Sequence, residues 1–497
     1  MRRIAAVVVT LAVIIGGLVV APMATAGPAP TPSRGQPVLA VSAWTTCAVR
    51  ESGRVYCWGS NSAGELGRGN TTPSTAVAPT IGIIDAIAVY GAAELDFVGG
   101  TFCALRENHT VVCWGRGGAY QVGNASTSNV TSPFTVPGLD HVASMDLSDR
   151  NTCAVKQDGT VWCWGWGTPV VGGTLRTAPY QIPGVSSAVS VAVGDTSACV
   201  LKVDRSVWCW GANDVGQLGN AGAGASSAAP VRVDGLSAAT AVASGPATTC
   251  ALLLTKAVWC WGSNSIGQLG RGSGVDFSVQ AKPIKGNLSA SYLSVATAVA
   301  CAFVGTDIKC WGRNDGGVLG DGQSASQYAP ITVEVGLANP TAIAIGTYTT
   351  CEIANQGRVW CWGANSSGEA GTGGTSAVPN GGGPGITFGR AAAPQAVVLV
   401  NSATGKPAGS SPSARKVKIS WTAPSTTNGA STPKDYYVYY QLKGSSAWKK
   451  FADPVTTTRS ATVTGLTAGK YYRFKVVPVN WAGAGSSSAV SGYIKSK

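Results

Sequence analysis

Fourteen cysteines fall into seven pairs, and six of the pairs share the spacing Cys-x9-Cys. They are Cys47 with Cys57, Cys103 with Cys113, Cys153 with Cys163, Cys199 with Cys209, Cys250 with Cys260, and Cys351 with Cys361. The remaining pair, Cys301 with Cys310, is one residue shorter, and Trp-Gly follows the second cysteine of every pair. Successive pairs begin 46 to 56 residues apart, so residues 38–391 read as one unit used seven times. A period of that length marks a repeat architecture.

The spacing also dictates a local structure. Two cysteines facing each other on a β-hairpin centre the turn midway between them, which leaves a three-residue loop in the x9 pairs. Such loops end on a left-handed residue, normally Gly. Gly53, Gly159 and Gly357 hold that place, and His109, Arg205 and Lys256 hold it in the other units. The short pair leaves Gly305-Thr306, and Gly first is what a type II′ turn needs. One deletion thus changes the turn and keeps the cysteines opposed. Disulfides are the expectation, each closing a small loop worth about 2–3 kcal/mol in the chain-entropy model. Metal-binding thiols fit less well, because zinc knuckles have roughly two to four residues between cysteines and need four ligands. The chain has only two histidines, His109 and His141.

Each unit reads as about four short strands separated by Gly, Pro and Ser, with no helical periodicity. The fourth unit shows this in Ala188–Val193, Ala198–Lys202, Ser206–Gly211 and Pro230–Val233. Four strands per unit, seven times over, predict an all-β fold with one propeller blade per unit. A stacked solenoid is the alternative, disfavoured because nothing polar and atypical caps either end.

The stretch after each second cysteine carries a longer pattern. It reads Trp58-Gly59-Ser60-Asn61-x-x-Gly64-Glu65-Leu66-Gly67, then Trp210, Asn213 and Gly216, then Trp261, Asn264 and Gly267, with close copies at Trp311 and Asn314 and at Trp362, Asn365 and Gly368. Units two and three keep Trp114 and Trp164 but depart from the pattern: Gly117 replaces the Asn and Tyr120 the Gly in unit two, and unit three loses most of the loop after Trp164-Gly165-Trp166-Gly167. This pattern resembles the repeats of the regulator of chromosome condensation family, and the resemblance implies a seven-bladed propeller over about 350 residues. The Trp is expected as filler between blades and the Asn as a turn-fixing side chain. The family name also implies guanine-nucleotide exchange on a small GTPase. That role is set aside, because a disulfide-stapled secreted chain does not meet a cytosolic or nuclear GTPase.

From residue 392 cysteines vanish and lysines rise. Residues 394–497 hold 14 Lys and Arg against 2 Asp and Glu, whereas residues 27–393 are close to neutral with 20 and 21. The strands expected at Lys416–Trp421, Asp435–Gln441, Ala461–Leu466 and Tyr472–Val476 resemble a fibronectin type III sandwich. The resemblance implies Trp421 as its core tryptophan and Tyr472 as its tyrosine corner. A strongly basic tail outside a cell would meet anionic cell-wall polymers, and retention there is the expectation.

At the N-terminus, Met1-Arg2-Arg3, an apolar run from Ile4 to Val20 and Ala24-Thr25-Ala26 read as a cleaved signal peptide over residues 1–26, followed by a linker at 27–37. An uncleaved anchor is the rival reading. The chain is therefore expected to be a secreted bacterial protein, extracellular or wall-associated, monomeric and outside the membrane after cleavage. No catalytic constellation, cofactor loop or metal signature stands out, and no nucleic-acid partner is expected. The leading expectation is a non-catalytic scaffold whose propeller loops engage an extracellular protein or glycan. The alternative is an enzyme or accessory module in polysaccharide degradation. Candidate rim residues are Asp149, Arg150, Trp166 and Asp195, and the spacing of 56 in unit one is expected to come from a long insertion at Ile81–Leu95.

Overall fold

Each cysteine pair bridges the two central strands of an antiparallel sheet. The computed structural model describes residues 39–50, 53–92, 99–166, 170, 172–272, 276–333, 340–354, 358–377, 415–421, 435–451, 460–480, 483–484 and 490–496. Its register sets Cys47 directly opposite Cys57, Cys103 opposite Cys113, Cys153 opposite Cys163 and Cys199 opposite Cys209. Cys250 likewise faces Cys260, Cys351 faces Cys361, and in the short pair Cys301 faces Cys310. The disulfides Cys47 to Cys57, Cys103 to Cys113, Cys153 to Cys163, Cys199 to Cys209, Cys250 to Cys260, Cys301 to Cys310 and Cys351 to Cys361 are all formed, as the spacing predicts. Their Cα atoms are 4.0 or 4.1 Å apart, the short separation of a non-hydrogen-bonded pair. No cysteine is left to serve as a free thiol or a metal ligand.

At the hairpin turns His109 (φ 63°), Arg205 (φ 64°) and Lys256 (φ 68°) take the left-handed conformation that Gly53 and Gly159 take elsewhere. In the two-residue loop Gly305 has φ 62° and Thr306 is not left-handed, as a type II′ turn requires. Glu51-Ser52 and the seventh turn, Asn355 to Gly357, lie outside the described residues, as do the signal and linker segments.

The first sheet is built from consecutive strands Leu39–Val41, Thr45–Val49, Val55–Gly59 and Ser74–Pro79. Five more four-stranded sheets repeat this order, ending with Gln327–Thr332. The seventh shows Ala342–Ile345, Thr349–Ala354 and Arg358–Gly363 among the described residues. The innermost strands, Leu39–Val41, Ala86–Gly91, Val142–Leu147, Ala188–Val193, Ala239–Ser244, Ala290–Ala296 and Ala342–Ile345, pack in sequence, and the last returns to the first. They enclose a central channel of about 590 Å³. The body is a seven-bladed β-propeller with a disulfide in every blade.

The Trp-Gly dipeptide explains how one blade holds the next. Trp58, Trp114, Trp164, Trp210, Trp261, Trp311 and Trp362 are all essentially inaccessible to solvent. Each indole N–H donates to a backbone carbonyl of the preceding blade. Trp114 donates to Glu65, Trp164 to Gln121, Trp210 to Val170, Trp261 to Gln217, Trp311 to Gln268 and Trp362 to Val318, at 2.6 to 3.0 Å. Trp58 closes the circle by donating to Glu369 at 2.9 Å, 311 residues away, and Thr46 Oγ1 donates to the same carbonyl at 2.8 Å. The glycine that follows sits at a β-bulge with positive φ. At Gly312 (φ 103°) a Cβ would lie 2.1 Å from the Ala298 carbonyl oxygen, a separation no side chain tolerates. In five of the seven blades an asparagine three residues after the tryptophan ties its loop. Asn61 Oδ1 accepts from Leu66 N at 2.8 Å while its Nδ2 donates to Asn70 and Thr72. Asn213, Asn264, Asn314 and Asn365 accept from Leu218, Leu269, Leu319 and Ala370 in the same way. Gly64, Gly216, Gly267 and Gly368 fall in these loops with φ 81° to 86°.

One expectation is corrected. The extra residues of unit one do not form an insertion at Ile81–Leu95. Ile81–Asp85 is an ordinary turn between blades, and the added length lies between the strands Ala86–Gly91 and Thr101–Arg106. The long spacing could not say which loop had grown.

The tail forms a β-sandwich. One sheet pairs Val417–Ser420 with Ser460–Val463. The other sets Asp435–Leu442 between Lys449–Lys450 and Tyr471–Asn480, with Ile494–Lys495 added at Tyr471–Tyr472. Trp421, 4 % exposed, packs edge-on to Tyr436 at 5.2 Å between ring centroids. The Tyr472 hydroxyl accepts from the backbone of Thr467 at 3.0 Å.

Three substitutions test this account of the ring. Trp58→Phe keeps an aromatic filler and removes the closing N–H, and is expected to cost about 1–3 kcal/mol in equilibrium urea unfolding. Lys256→Gly relieves a left-handed non-glycine and is expected to stabilise by up to about 1 kcal/mol, whereas Gly312→Ala destabilises strongly. The same unfolding curves decide all three.

Candidate functional site

Strand direction alternates within each blade, so two kinds of connection share one rim of the ring. One joins the innermost to the second strand, and the other follows the third strand after Trp-Gly. Seven equivalent backbone bonds fix them together. The residues Ser60, Arg116, Trp166, Ala212, Ser263, Arg313 and Ala364 donate their N–H to the carbonyls of Trp44, Gly100, Arg150, Thr196, Ala247, Ala298 and Tyr348, at 2.8 to 3.0 Å. Because main chain makes the bond, the side chains at these fourteen places are free to differ.

They differ systematically. Around blades four and five the positions are small: Thr196, Ala212, Ala247 and Ser263. Around blades six, seven and one, one position of each pair is large, Arg313, Tyr348 and Trp44, beside Ala298, Ala364 and Ser60. Trp44 stacks on Tyr348 with centroids 5.2 Å apart and planes 25° from parallel. The Arg313 guanidinium lies 4.5 Å from the Tyr348 ring and pairs with Asp315 at 2.8 Å. Around blades two and three stand Arg116, Arg150 and Trp166. The rim is thus an arc of aromatic and arginine side chains interrupted over two blades.

All four candidate rim residues fall here. Trp166 is 50 % exposed and the Arg150 side chain 51 %. Asp149 is buried, pairs with Arg116 at 2.7 Å and lies 3.8 Å from Arg150. Asp195 offers its backbone carbonyl to Asn151 Nδ2 at 3.1 Å and lines the channel mouth. Arg150 and Trp166 are therefore open to solvent, while buried Asp149 pairs with the arginines. Gly167 to Pro169, beside Trp166, lie outside the described residues. Trp44, Arg116, Arg313 and Tyr348 carry no signal within their own units. Only comparison of the seven units at fixed distance from Trp-Gly separates them.

Among the groups lining the channel below the rim, Asp146 and Tyr90 act on each other. Asp146 on the third innermost strand accepts the Val193 backbone N–H from blade four at 2.8 Å. Burial among the strands pushes its carboxyl up to about 7. Tyr90 from blade two lies beside it, and burial, reinforced by the Asp146 charge, pushes its phenol up to about 12. The pair joins blades two, three and four at the channel wall. Among the described residues no group of three or more His, Cys, Asp or Glu is arranged to hold a metal ion, and no helix is long and apolar enough to cross a membrane.

Glu352 is the other misplaced acid. It pairs in register with Ile343 and Trp360 on the face of blade seven that meets blade six. It is fully buried, and neither carboxyl oxygen has a hydrogen-bond partner among the described residues. The other blades place Ala48, Ala104, Ala154, Val200, Ala251 and Ala302 there.

With the blades and rim in place, comparison with known proteins identifies the units. Residues 204–252 match the regulator of chromosome condensation (RCC1) repeat. Residues 39–65, 142–168, 188–217, 239–268 and 341–369 match a second description of that repeat. Residues 406–492 match the fibronectin type III domain. This chain carries RCC1 repeats and a fibronectin type III domain. Among curated proteins, the probable E3 ubiquitin-protein ligase HERC4 of Mus musculus is 34% identical over 141 residues, 27% of this chain and 13% of that protein. The E3 ubiquitin-protein ligase HERC2 of Homo sapiens is 30% identical over 149 residues, 28% of this chain and 3% of that one. The match thus spans a small fraction of these ligases. Both are mammalian and lend no support to a bacterial origin. Among solved structures, Prp20p of Saccharomyces cerevisiae, described with its binding to Gsp1p and histones, superposes with TM-score 0.57 at 18% identity, covering 69% of this chain and 86% of that one. Human WBSCR16 gives 0.55 at 20% identity, covering 64% and 87%. At these identities the likeness is one of fold.

Burial alone pushes the Glu352 carboxyl up to about 8. Its folded-state pKa lies above the ordinary carboxylate value, so between about pH 4.5 and 8 the folded state holds the extra proton. Stability must therefore fall as pH rises through that window and level off above it. Asp146 adds to the slope only up to about 7. Glu352→Ala is expected to flatten the stability profile between pH 7 and 8 and to raise stability at pH 9 by on the order of a few kcal/mol. Urea midpoints measured across pH check this.

Proposed function

We propose that this protein is an extracellular, non-catalytic interaction module. Its propeller rim engages a protein or glycan partner, and its basic sandwich holds the molecule to anionic cell-wall polymer. A propeller of RCC1 repeats joined to a fibronectin type III domain is a binding or regulatory architecture, and the disulfide in every blade fits an oxidising compartment. The observation that carries the reading is the rim arc. Exposed Trp166 and Arg150 stand at positions where blades four and five have Thr196, Ala212, Ala247 and Ser263. Aromatic and arginine side chains are the types that anchor interfaces.

Guanine-nucleotide exchange is the second reading, favoured by the likeness to Prp20p, a protein described with its binding to Gsp1p. The seven disulfides argue against it, since cytosolic thiols are kept reduced. Participation in polysaccharide breakdown is the third, and release of reducing ends from a glycan panel would support it over a scaffold.

The rim is tested by substitution. The full chain captures its partner from extracellular fluid, and Arg150→Ala with Trp166→Ala is expected to weaken capture at least tenfold, about 1.4 kcal/mol or more. Thr196→Ala with Ser263→Ala, on the same rim over blades four and five, is expected to change it less than twofold. Equal losses from both pairs would contradict the rim assignment, and accelerated nucleotide release from a small GTPase would replace the scaffold reading.

A further inference from the structure

The sandwich turns one face of its larger sheet inward. Tyr436, Val438, Phe474 and Val476 form its core with Trp421. Strand alternation puts Tyr437, Tyr439, Arg473 and Lys475 on the opposite, outer face. There the register sets Lys450, Tyr439 and Lys475 side by side across three strands. The Lys450 ammonium lies 3.2 Å from the Tyr437 ring centroid. Lys475 lies 5.5 Å from Tyr439 and 4.7 Å from Trp448, and Arg473 lies 5.6 Å from Trp448. Cations and rings therefore interleave in two dimensions over a flat surface.

An ordinary solvated face would explain the lysines but not the rings. Tyr437, Tyr439 and Trp448 keep part of their surface in water on the side away from the core. Solubility needs mixed charge, whereas residues 394–497 carry 14 basic side chains and only two acids, Asp435 and Asp453. Lys450 lies over the face of the Tyr437 ring, whereas the cations beside Tyr439 and Trp448 stand 4.7 to 5.6 Å from the ring centroids, so each ring has a fixed positive charge next to it. That combination fits a polymer whose units are both flat and anionic.

We propose that this outer face is the binding site for an anionic polysaccharide. Sugar rings lie on Tyr439 and Trp448, and their carboxylate or phosphate groups meet Lys450, which Tyr437 holds in place, Arg473 and Lys475. The assignment rests on the reading of the sandwich as the part that holds wall polymer, and gives that reading a location. Three strands at about 4.8 Å spacing offer a platform wide enough for successive sugar units and shape no closed pocket. Single-stranded nucleic acid would suit the same mixture of charge and rings. The seven disulfides favour the polysaccharide, because they place the chain where nucleic acid is scarce.

The test uses the full chain on immobilised polygalacturonate, with poly(dT) and neutral dextran as parallel matrices, over a range of salt. Arg473→Gln with Lys475→Gln is expected to weaken polygalacturonate binding at least tenfold. Lys416→Gln with Lys418→Gln removes equal charge near the other sheet and is expected to weaken it less than twofold. Trp448→Leu leaves the charge unchanged and is also expected to weaken binding. Thermal unfolding confirms that each variant is folded. Equal losses from the two charge pairs would overturn the site while leaving polymer retention standing. Tighter binding to poly(dT) than to polygalacturonate would overturn the ligand class. Failure of the unaltered chain to bind polygalacturonate would overturn both the site and the reading it rests on.

Discussion

The whole body depends on one hydrogen bond made seven times. A buried indole N–H on each blade donates to a carbonyl on the blade before it, and Trp58 and Glu369 make the bond that joins the last blade to the first. The first blade supplies all four of its own strands, so sheet pairing does not lock it to the seventh. Closure falls to the Trp58 and Thr46 bonds and to the apolar packing around Ala48, Tyr56 and Ile353. A buried N–H deprived of its acceptor costs the full desolvation of that group. Each blade therefore fixes the position of the next, and the ring fixes the rim.

The disulfides act on a different scale. Each spans a separation of nine or ten residues within one hairpin, so it constrains a blade and says nothing to its neighbour. Such small loops contribute modestly one by one. Their larger consequence is the compartment in which they persist. Inter-blade hydrogen bonds hold the ring together, and intra-blade disulfides keep each hairpin in register before and after the ring forms.

How much of this was legible in the sequence follows from the same division. Cysteine spacing fixes hairpin register by arithmetic, so the partner of each cysteine, from Cys57 for Cys47 to Cys361 for Cys351, was readable, and so was the deletion at Gly305-Thr306. Trp421 and Tyr472 were legible because a sandwich core constrains them locally. The carbonyl each tryptophan would meet was not readable, since it belongs to another unit, 40 to 49 residues away for six of them and 311 for Trp58. The position of the extra residues in unit one was not readable either, because spacing counts residues without placing them. Glu352 looks unremarkable among 23 acids until its register position shows six small apolar counterparts. The rim arc and the ringed cations of the sandwich emerge only from cross-strand neighbours.

The functional reading joins these parts. A rigid ring presents side chains that vary where the backbone does not, and a basic sheet face offers attachment to an anionic surface. Everything rests on the ring being closed by its indoles. Hydrogen exchange of indole N–H groups, read by NMR on tryptophan-labelled protein, tests that most directly. The chain has 16 tryptophans, and the account requires seven indole protons to exchange slowly, with Trp58 protected like the other six. A rapidly exchanging Trp58 beside six protected partners would show an open ring and contradict it.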